Sequence, residues 1–464
     1  MNIIVLGQYV QGLVAGATLA KAGHSVDILN FPDGEYVEFY ESCKTGPVTH
    51  IPIALPQKII RDLDFKTYGF ELPKNPVKNP FEKLPFYEGL KMLVAMFIGL
   101  EENRPSYKEK AWRDTWNTFE IGRILSFQDE AAQNLFARSA TLSLMELLDA
   151  TDLSEDDKVE IIAYSVVGSK TDPSDKGSAA SILPAMAVFE KKDHVVITGS
   201  LHQLVRALKQ AAMANGANVF TDTMIKQVKT VGNMVESVEM TDGQELYADY
   251  FIFDYDPIAF FNGYIDDYSV PVTFKKRISP DANTKECLHL KMALSALPDG
   301  LDEIQSFVAG DEGYIARAKH DMREDGGSQF PMLSIVNISG KNPALAKDKT
   351  AVIDVIAQYF EPGLEELDKG PLMAVTQALA KAFPDIESKI IHSEVALPPT
   401  QFGQANFIGT MPLLQLFKVF SGYHTMGYDM PIDNLLVAGY GSGTSGHYHV
   451  NDGGDRIATL LQSL

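Results

Sequence analysis

Residues Asn2 to Asn30 read NIIVLGQYVQGLVAGATLAKAGHSVDILN. Ile3 to Leu6 is a short apolar, β-branched run that stops at Gly7. Leu13 to Ala22 is small, apolar and helix-forming, and Gly23 supplies a C-terminal stop. Ser25 to Leu29 then returns to an apolar strand. A β-turn-α-β unit of about thirty residues is the opening expected of a dinucleotide-binding fold. In such a unit the turn brings backbone amides and the positive end of the helix to a pyrophosphate.

The turn departs from the G-x-G-x-x-G spacing that this chemistry uses. Gly7 and Gly12 fill the first and third places, but Tyr9 stands in the second, where a side chain obstructs the approach of backbone to phosphate. The second strand ends in Asn30 rather than the Asp or Glu that accepts ribose hydroxyls. An amide oxygen still accepts a hydrogen bond, without the charge that strengthens it. The fold signal is strong and the cofactor signal is weakened.

Working outward, 464 residues exceed what one compact core accommodates, so at least two domains are expected. A formal net charge of -21 argues against nucleic acid or an anionic membrane surface as an electrostatic partner. Cys43 and Cys287 lie far apart and fit no metal or redox spacing, so they read as reduced, buried thiols. The first residues enter a strand directly, with no basic segment or cleavable apolar core, and a cytoplasmic location is expected. The apolar run Leu90 to Leu100 (LKMLVAMFIGL) is too short to span a bilayer and reads as a buried helix. The alternatives are a hydrophobic substrate wall or a helix making peripheral membrane contact.

Four prolines between Pro73 and Pro85 suggest a linker or extended wrap. Tyr87 to Gly168 is mostly helical in pattern, with a long periodic segment over Glu130 to Ala150 and Ser154 as a cap. A second α/β pattern starts near Val195: a strand, the helix Leu201 to Ala214, then strand signals at Asn218 to Phe220, Ile225 to Val231 and Met234 to Met240. Thr241-Asp242-Gly243 is a hairpin-type turn. Tyr247 to Asp254 is a further strand, and LHLKMALSAL, PMLSIVNISG and AVIDVIAQYF read as strands of one antiparallel sheet. Ile432 to Gly439 is a terminal buried strand, followed by a glycine-rich turn and a closing helix. The expected fold is α/β: a Rossmann-like nucleotide domain of the glutathione reductase and amine oxidase type, interleaved with an α+β substrate domain. The boundaries expected are 1–75, 190–260 and 390–464 for the first and 76–189 and 261–389 for the second.

With these segments in order, the chain resembles the phytoene desaturase-like flavoproteins, in particular the pyridine nucleotide-disulphide oxidoreductase domain-containing protein 2 branch. The segments that carry the resemblance are GLVAGATLAKAGHSVDIL, ALPQKIIRDLDFKTYGFEL, ITGSLHQLVRALKQAAMANGANVFTDTMIKQV, MTDGQELYADYFIFDYDP and PIDNLLVAGYGSGTSGHYHVNDGGDRIA. The resemblance implies FAD, and an oxidoreductase of desaturase, saturase or isomerase type acting on a hydrophobic, including conjugated, small molecule. By matching positions, Gly7, Tyr9, Gly12 and Asn30 would face the diphosphate and ribose. Ile225 would pair its backbone with the adenine, and Gly439 and Gly441 would approach the flavin. The chain departs from the family at Tyr9, at Asn30, in the loop Phe31 to Gly46 and at Ser442 to His449. Either FAD binds in an altered or weakened way, or the fold has been kept and the flavin abandoned. The second case is that of the Rab-escort and dissociation-inhibitor relatives, non-catalytic binding proteins.

Other constellations are weaker. His447 and His449 would share one face of a strand and are the natural proton carriers near a bound ring; no completing ligand spacing makes them a metal site. Asp254-Tyr255-Asp256, which follows a buried strand and precedes Pro257, reads as turn chemistry rather than an acid-base pair. Phe417, Phe420, Tyr423 and Tyr428 line either a hydrophobic pocket or a core.

Overall fold

The computed structural model describes residues 1–31, 38–40, 43–72, 77–102, 130–168, 171–255, 257–265, 269–278, 287–301, 304–310, 312–340, 345–346, 350–361, 369–396, 431–438 and 453–462. Along the chain the strands are β1 (Asn2–Leu6), β2 (Ser25–Asn30), β3 (Glu38–Tyr40), β4 (Cys43–Lys44), β5 (Val48–Pro56), β6 (His194–Ser200), β7 (Asn218–Val231), β8 (Met234–Met240) and β9 (Glu245–Leu246). They continue with β10 (Tyr250–Phe253), β11 (Cys287–Leu294), β12 (Gln305–Val308), β13 (Leu333–Asn337), β14 (Ala351–Gln358), β15 (Ile390–Ala396) and β16 (Leu435–Val437). Helix α1 (Val10–Lys21) joins β1 to β2.

The first sheet has the order β16-β10-β1-β2-β7-β8-β9. From β16 to β7 its strands are parallel, and β7-β8-β9 form an antiparallel meander. The alternation of apolar residues in β1 serves both faces. Ile3 and Val5 pack with Leu13 and Val14 of α1, Leu204 and Leu208 of the helix His202–Ala214, and Ile457 and Leu461 of the helix Gly453–Gln462. Ile4 and Leu6 face the other way, onto Val228, Val238, Phe260 and Phe261. The opening βαβ unit is therefore present as expected, and α1 ends where Gly23 (φ +90°) takes the left-handed conformation open to glycine.

The second sheet is antiparallel throughout, in the order β12-β13-β14-β11-β15. The three strands expected from the sequence lie at its centre. One face, with Leu290, Met292, Ile335, Ile353 and Val355, is covered by Val375 and Leu379 of the helix Lys369–Ala382. A helical cluster is built from Tyr87–Glu102, Glu130–Thr141, Leu144–Asp149, Glu155–Val166 and Ile182–Glu190. Leu90, Leu93 and Val94 are buried in it, as expected of the apolar run. β5 runs between these units: Val48 packs with Val336 and Val352, Ile51 and Ala54 with the helical cluster, and Leu55 with the first sheet's helices.

Two local expectations are corrected. The periodic segment Glu130 to Ala150 is two helices, because Ser143 starts a new one: its side chain accepts from the Glu146 amide while Glu146 bonds back to the Ser143 amide. The strand signals at Asn218 to Phe220 and Ile225 to Val231 are one strand, β7, whose register shifts at Asn30 and Met224 carry it from β2 to β8. Ser154 caps its helix as expected, by accepting from the Asp157 amide. Cys43 and Cys287 are free and buried.

Candidate functional site

The carboxyl ends of β1, β2 and β10 converge on the start of α1, the place where an open α/β sheet binds ligands. The first-turn amides of a helix need acceptors from outside it. α1 offers none of its own: Tyr9 at the N-cap makes no side-chain capping bond, and its first turn has no acidic residue. Asp254 supplies one. β10 lies beside β1, and the Asp254 amide donates to the Leu6 carbonyl at 2.8 Å, which sets its side chain against the turn. Its Oδ2 accepts from the Gly12 amide at 2.5 Å, and the Gln11 amide also donates to the carboxyl. Burial pushes this carboxyl up to about 7, against the lowering effect of those two amides.

The same approach accounts for the two glycines. Gly7 has φ +114°, and a Cβ there would lie 2.0 Å from the Asp254 carbonyl oxygen. On Gly12 a Cβ would lie 2.9 Å from both Asp254 Cβ and Val5 Cγ1. Gln8, 4% exposed, donates from Nε2 to the Phe220 carbonyl at 2.6 Å. Its Oε1 has no hydrogen-bond partner among the described residues.

At the end of β2, Asn30 is buried and its Oδ1 accepts from the amide of Phe31 at 3.0 Å. Phe31, 0% exposed, stacks on Tyr255 with ring centroids 3.9 Å apart and meets Tyr264 edge-on at 4.7 Å. Tyr9 approaches Tyr255 at 6.2 Å. Ile225 is buried in the same apolar cluster, opposite Met240 in the β7–β8 ladder. Gly439, Gly441, His447, His449, Phe417, Phe420, Tyr423 and Tyr428 lie outside the described residues.

A second buried polar cluster lies on the face of the antiparallel sheet turned towards β5. His50 and His289 each bond through Nε2 to Oδ1 of Asp354 at 2.7 Å. His50 Nδ1 meets Ser334 Oγ at 2.9 Å, and Gln305 Nε2 donates to that hydroxyl and to the His50 carbonyl. Burial alone would raise Asp354, but the charge of His289 and the hydrogen bonds from His289 and His50 outweigh it and hold the carboxyl well below its usual range. Burial also lowers His50, despite Asp354. The set resembles a nucleophilic triad in composition. Ser334, however, is 0% exposed and β5 lies over it, so the cluster joins β5 to the sheet rather than meeting solvent. Among the described residues no group of histidine, cysteine and carboxylate side chains could hold a metal ion, and no helix is long and apolar enough to cross a membrane.

No protein-family model matches the chain, and no curated protein sequence matches it. Solved structures do. A Pyrococcus furiosus protein superposes with TM-score 0.55 at 13% identity, over 100% of this chain and 98% of its own. An oxidoreductase from Methanosarcina mazei gives 0.51 at 12%, covering 100% of both. Putrescine oxidase with bound putrescine gives 0.51 at 13%, again over 100% of each chain. The fold is that of the FAD-binding amine oxidases. At these identities the similarity speaks for architecture alone.

FAD is the group this fold implies, and the described part of its seat is crowded by the chain itself. The first-turn amides of Gln11 and Gly12 are held by Asp254, and Phe31 with Tyr255 and Tyr264 packs the strand ends beside them. The sequence reading placed Gly7, Tyr9, Gly12 and Asn30 together, and the structure brings them together. Asp254, which the sequence marks only as turn chemistry, joins them through the Gly12 amide. The available signal is topological: in a Rossmann sheet both strands that flank β1 end beside the glycine turn, and the residue after YFIF is an aspartate. His50, His289 and Asp354 carry a weaker signal, each a titratable residue flanked by apolar ones in a strand (THIPIAL, CLHLKMAL, AVIDVIAQ).

Proposed function

We propose that this chain is a binding or escort protein on a flavoprotein fold, holding a hydrophobic ligand or partner and not carrying FAD in the usual mode. The observation that carries this reading is Phe31. It follows β2 directly, it is wholly buried and it stacks on Tyr255, while Asn30, at the strand end that holds a dinucleotide's ribose in this fold, spends its side-chain oxygen on the Phe31 amide. A stacked, buried aromatic group of this size is core, and removing it to admit a cofactor costs several kcal/mol, about 3–5 for loss of a buried phenylalanine side chain.

A second reading is favoured by the extent of the match to solved oxidoreductases, which covers the whole chain. In it the protein is an FAD-dependent oxidoreductase of the phytoene desaturase-like kind, acting on a hydrophobic small molecule. Gly7, Tyr9, Gly12, Asn30, Ile225, Gly439 and Gly441 would surround the cofactor, and His447 or His449 would carry protons. The flavin would supply the hydride chemistry and the chain the orientation and dry surroundings.

A visible absorption spectrum separates the two. The purified protein is measured directly, then again after incubation with FAD and gel filtration. The binding-protein reading expects no flavin bands in either sample. A stoichiometric flavin spectrum retained through the column overturns it and leaves the oxidoreductase reading standing.

A further inference from the structure

We infer that Asp254 is the internal occupant of the pyrophosphate seat, and that its carboxyl group, more than Tyr9, keeps dinucleotides out. The inference deepens the reading above and rests on it. A pyrophosphate at a helix N-terminus is held by first-turn amides that point at it and by the positive end of the helix dipole. In this chain both amides that donate to Asp254, Gln11 and Gly12, belong to that first turn. The bond to Gly12 is short, the carboxyl is 5% exposed, and the carbonyl of the same residue presses on Gly7 so closely that a Cβ there would meet it at 2.0 Å. The aspartate is thus fixed by its backbone as well as by its side chain. An incoming phosphate would have to break both amide bonds and would meet a like charge whenever the carboxyl is ionised.

The seat behind the carboxyl keeps the features of a ligand site. α1 is 12 residues long, with no side-chain capping bond from Tyr9 and no acidic residue in its first turn. Tyr9 is only half-buried, and its ring approaches Tyr255 at 6.2 Å without a stacked contact, so it obstructs less than Asp254 does. Removing the carboxyl should therefore expose two donors and a helix end that take phosphate oxygens.

The test is isothermal titration of pyrophosphate, ADP and FAD at pH 8 into the wild type, Asp254→Ser, Tyr9→Gly and the double variant Asp254→Ser/Tyr9→Gly. The expected result is no saturable binding to the wild type or Tyr9→Gly at millimolar ligand. Asp254→Ser should gain at least tenfold in pyrophosphate and ADP affinity, and the double variant further. If Asp254→Ser is folded by circular dichroism yet binds pyrophosphate no better than the wild type, the inference fails while the binding-protein reading stands. If the wild type binds FAD, that reading fails; the inference then survives only if Asp254→Ser tightens FAD. Should the serine variants not fold, Asp254→Ala removes the acceptor together with the charge and is titrated in their place. Pyrophosphate affinity raised severalfold over wild type at pH 8 supports the inference, and an unchanged affinity overturns it.

Discussion

Replacing Asp254 by asparagine should make the protein more stable at alkaline pH and leave it near wild type at mildly acid pH. The carboxyl is buried, and burial pushes it up to about 7 from an ordinary value of 3.8. Between those two values the folded chain holds a proton that the unfolded chain has released, so wild-type stability falls as pH rises and the fall is complete once pH passes the folded value. Each unit is worth about 1.36 kcal/mol, so between pH 5 and pH 8 the group costs the fold about 2.7 kcal/mol, roughly two units' worth. Asparagine does not titrate, and its carbonyl oxygen still accepts from the Gly12 amide, so this pH-dependent cost disappears. For a chain of 464 residues melting as one unit, the entropy of unfolding is on the order of 1 kcal/mol per degree. The melting temperature of Asp254→Asn relative to wild type should therefore rise by about 3 °C from pH 5 to pH 8, and by more if a smaller unit melts by itself. Scanning calorimetry of both proteins at half-unit steps measures the difference, in which the titration of all shared groups cancels. Parallel curves within a degree would refute the reasoning, because they would mean that ionising Asp254 costs nothing.

Two further perturbations test the packing around both polar clusters. Asp354→Ala leaves His50 and His289 buried without their shared acceptor and should cost about 3–5 kcal/mol, read as a lowered melting temperature at pH 7. Because the folded-state value of Asp354 is depressed, this deficit is present above about pH 4 and shrinks as acid protonates the wild-type carboxylate; a variant melting like wild type at pH 7 would remove the cluster from the core. Gly7→Ala places a Cβ against a backbone oxygen that cannot yield and should give no folded protein, whereas Gly12→Ala meets only side-chain atoms and should cost about 1–3 kcal/mol. Soluble expression and thermal melts of the two variants check the order, and equal effects would contradict the close approach of β10 to the turn.

The architecture was legible because it is written in local patterns. The apolar run Ile3 to Leu6, the size of a strand buried on both faces, and the small residues of α1 fit a sheet with a helix on it, and the three central strands of the second sheet read as strands from their apolar runs. What failed locally failed for a local reason: the periodicity of Glu130 to Ala150 continues across Ser143, and only the capping box breaks it. The site was half legible. Gly7, Gly12 and Asn30 are close in sequence and their turn fixes them relative to one another. Asp254 lies 242 positions from Gly12, and His50 lies 304 from Asp354, so no spacing rule reaches either pair. Each depends on which strand ends beside which, and that is settled by the order of strands in the sheet.

On the binding-protein reading, that order also accounts for two glycines standing beside Asn30 at the end of β2. Read as cofactor contacts, Gly7, Gly12 and the end of β2 should stay or decay together. In the structure they answer to different forces. Gly7 and Gly12 are held by the backbone and side chain of Asp254 at the end of β10, a contact internal to the chain, whereas the end of β2 would have answered only to a ribose. A chain that ceases to hold a dinucleotide must still satisfy the first-turn amides of α1, at about 1–3 kcal/mol for each one left buried and unbonded. It must also fill the volume the cofactor leaves, since cavities cost about 24 cal/mol per Å³. An aspartate at the neighbouring strand end meets the first requirement, and its raised titration point is what burying that acceptor entails. Phe31 stacked on Tyr255 meets the second. On the same reading Tyr9, which in the sequence stands out as the block, follows from the closure: with no phosphate approaching the turn, nothing in the fold demands glycine at that position, because its backbone is extended (φ -85°, ψ 174°) and open to any residue.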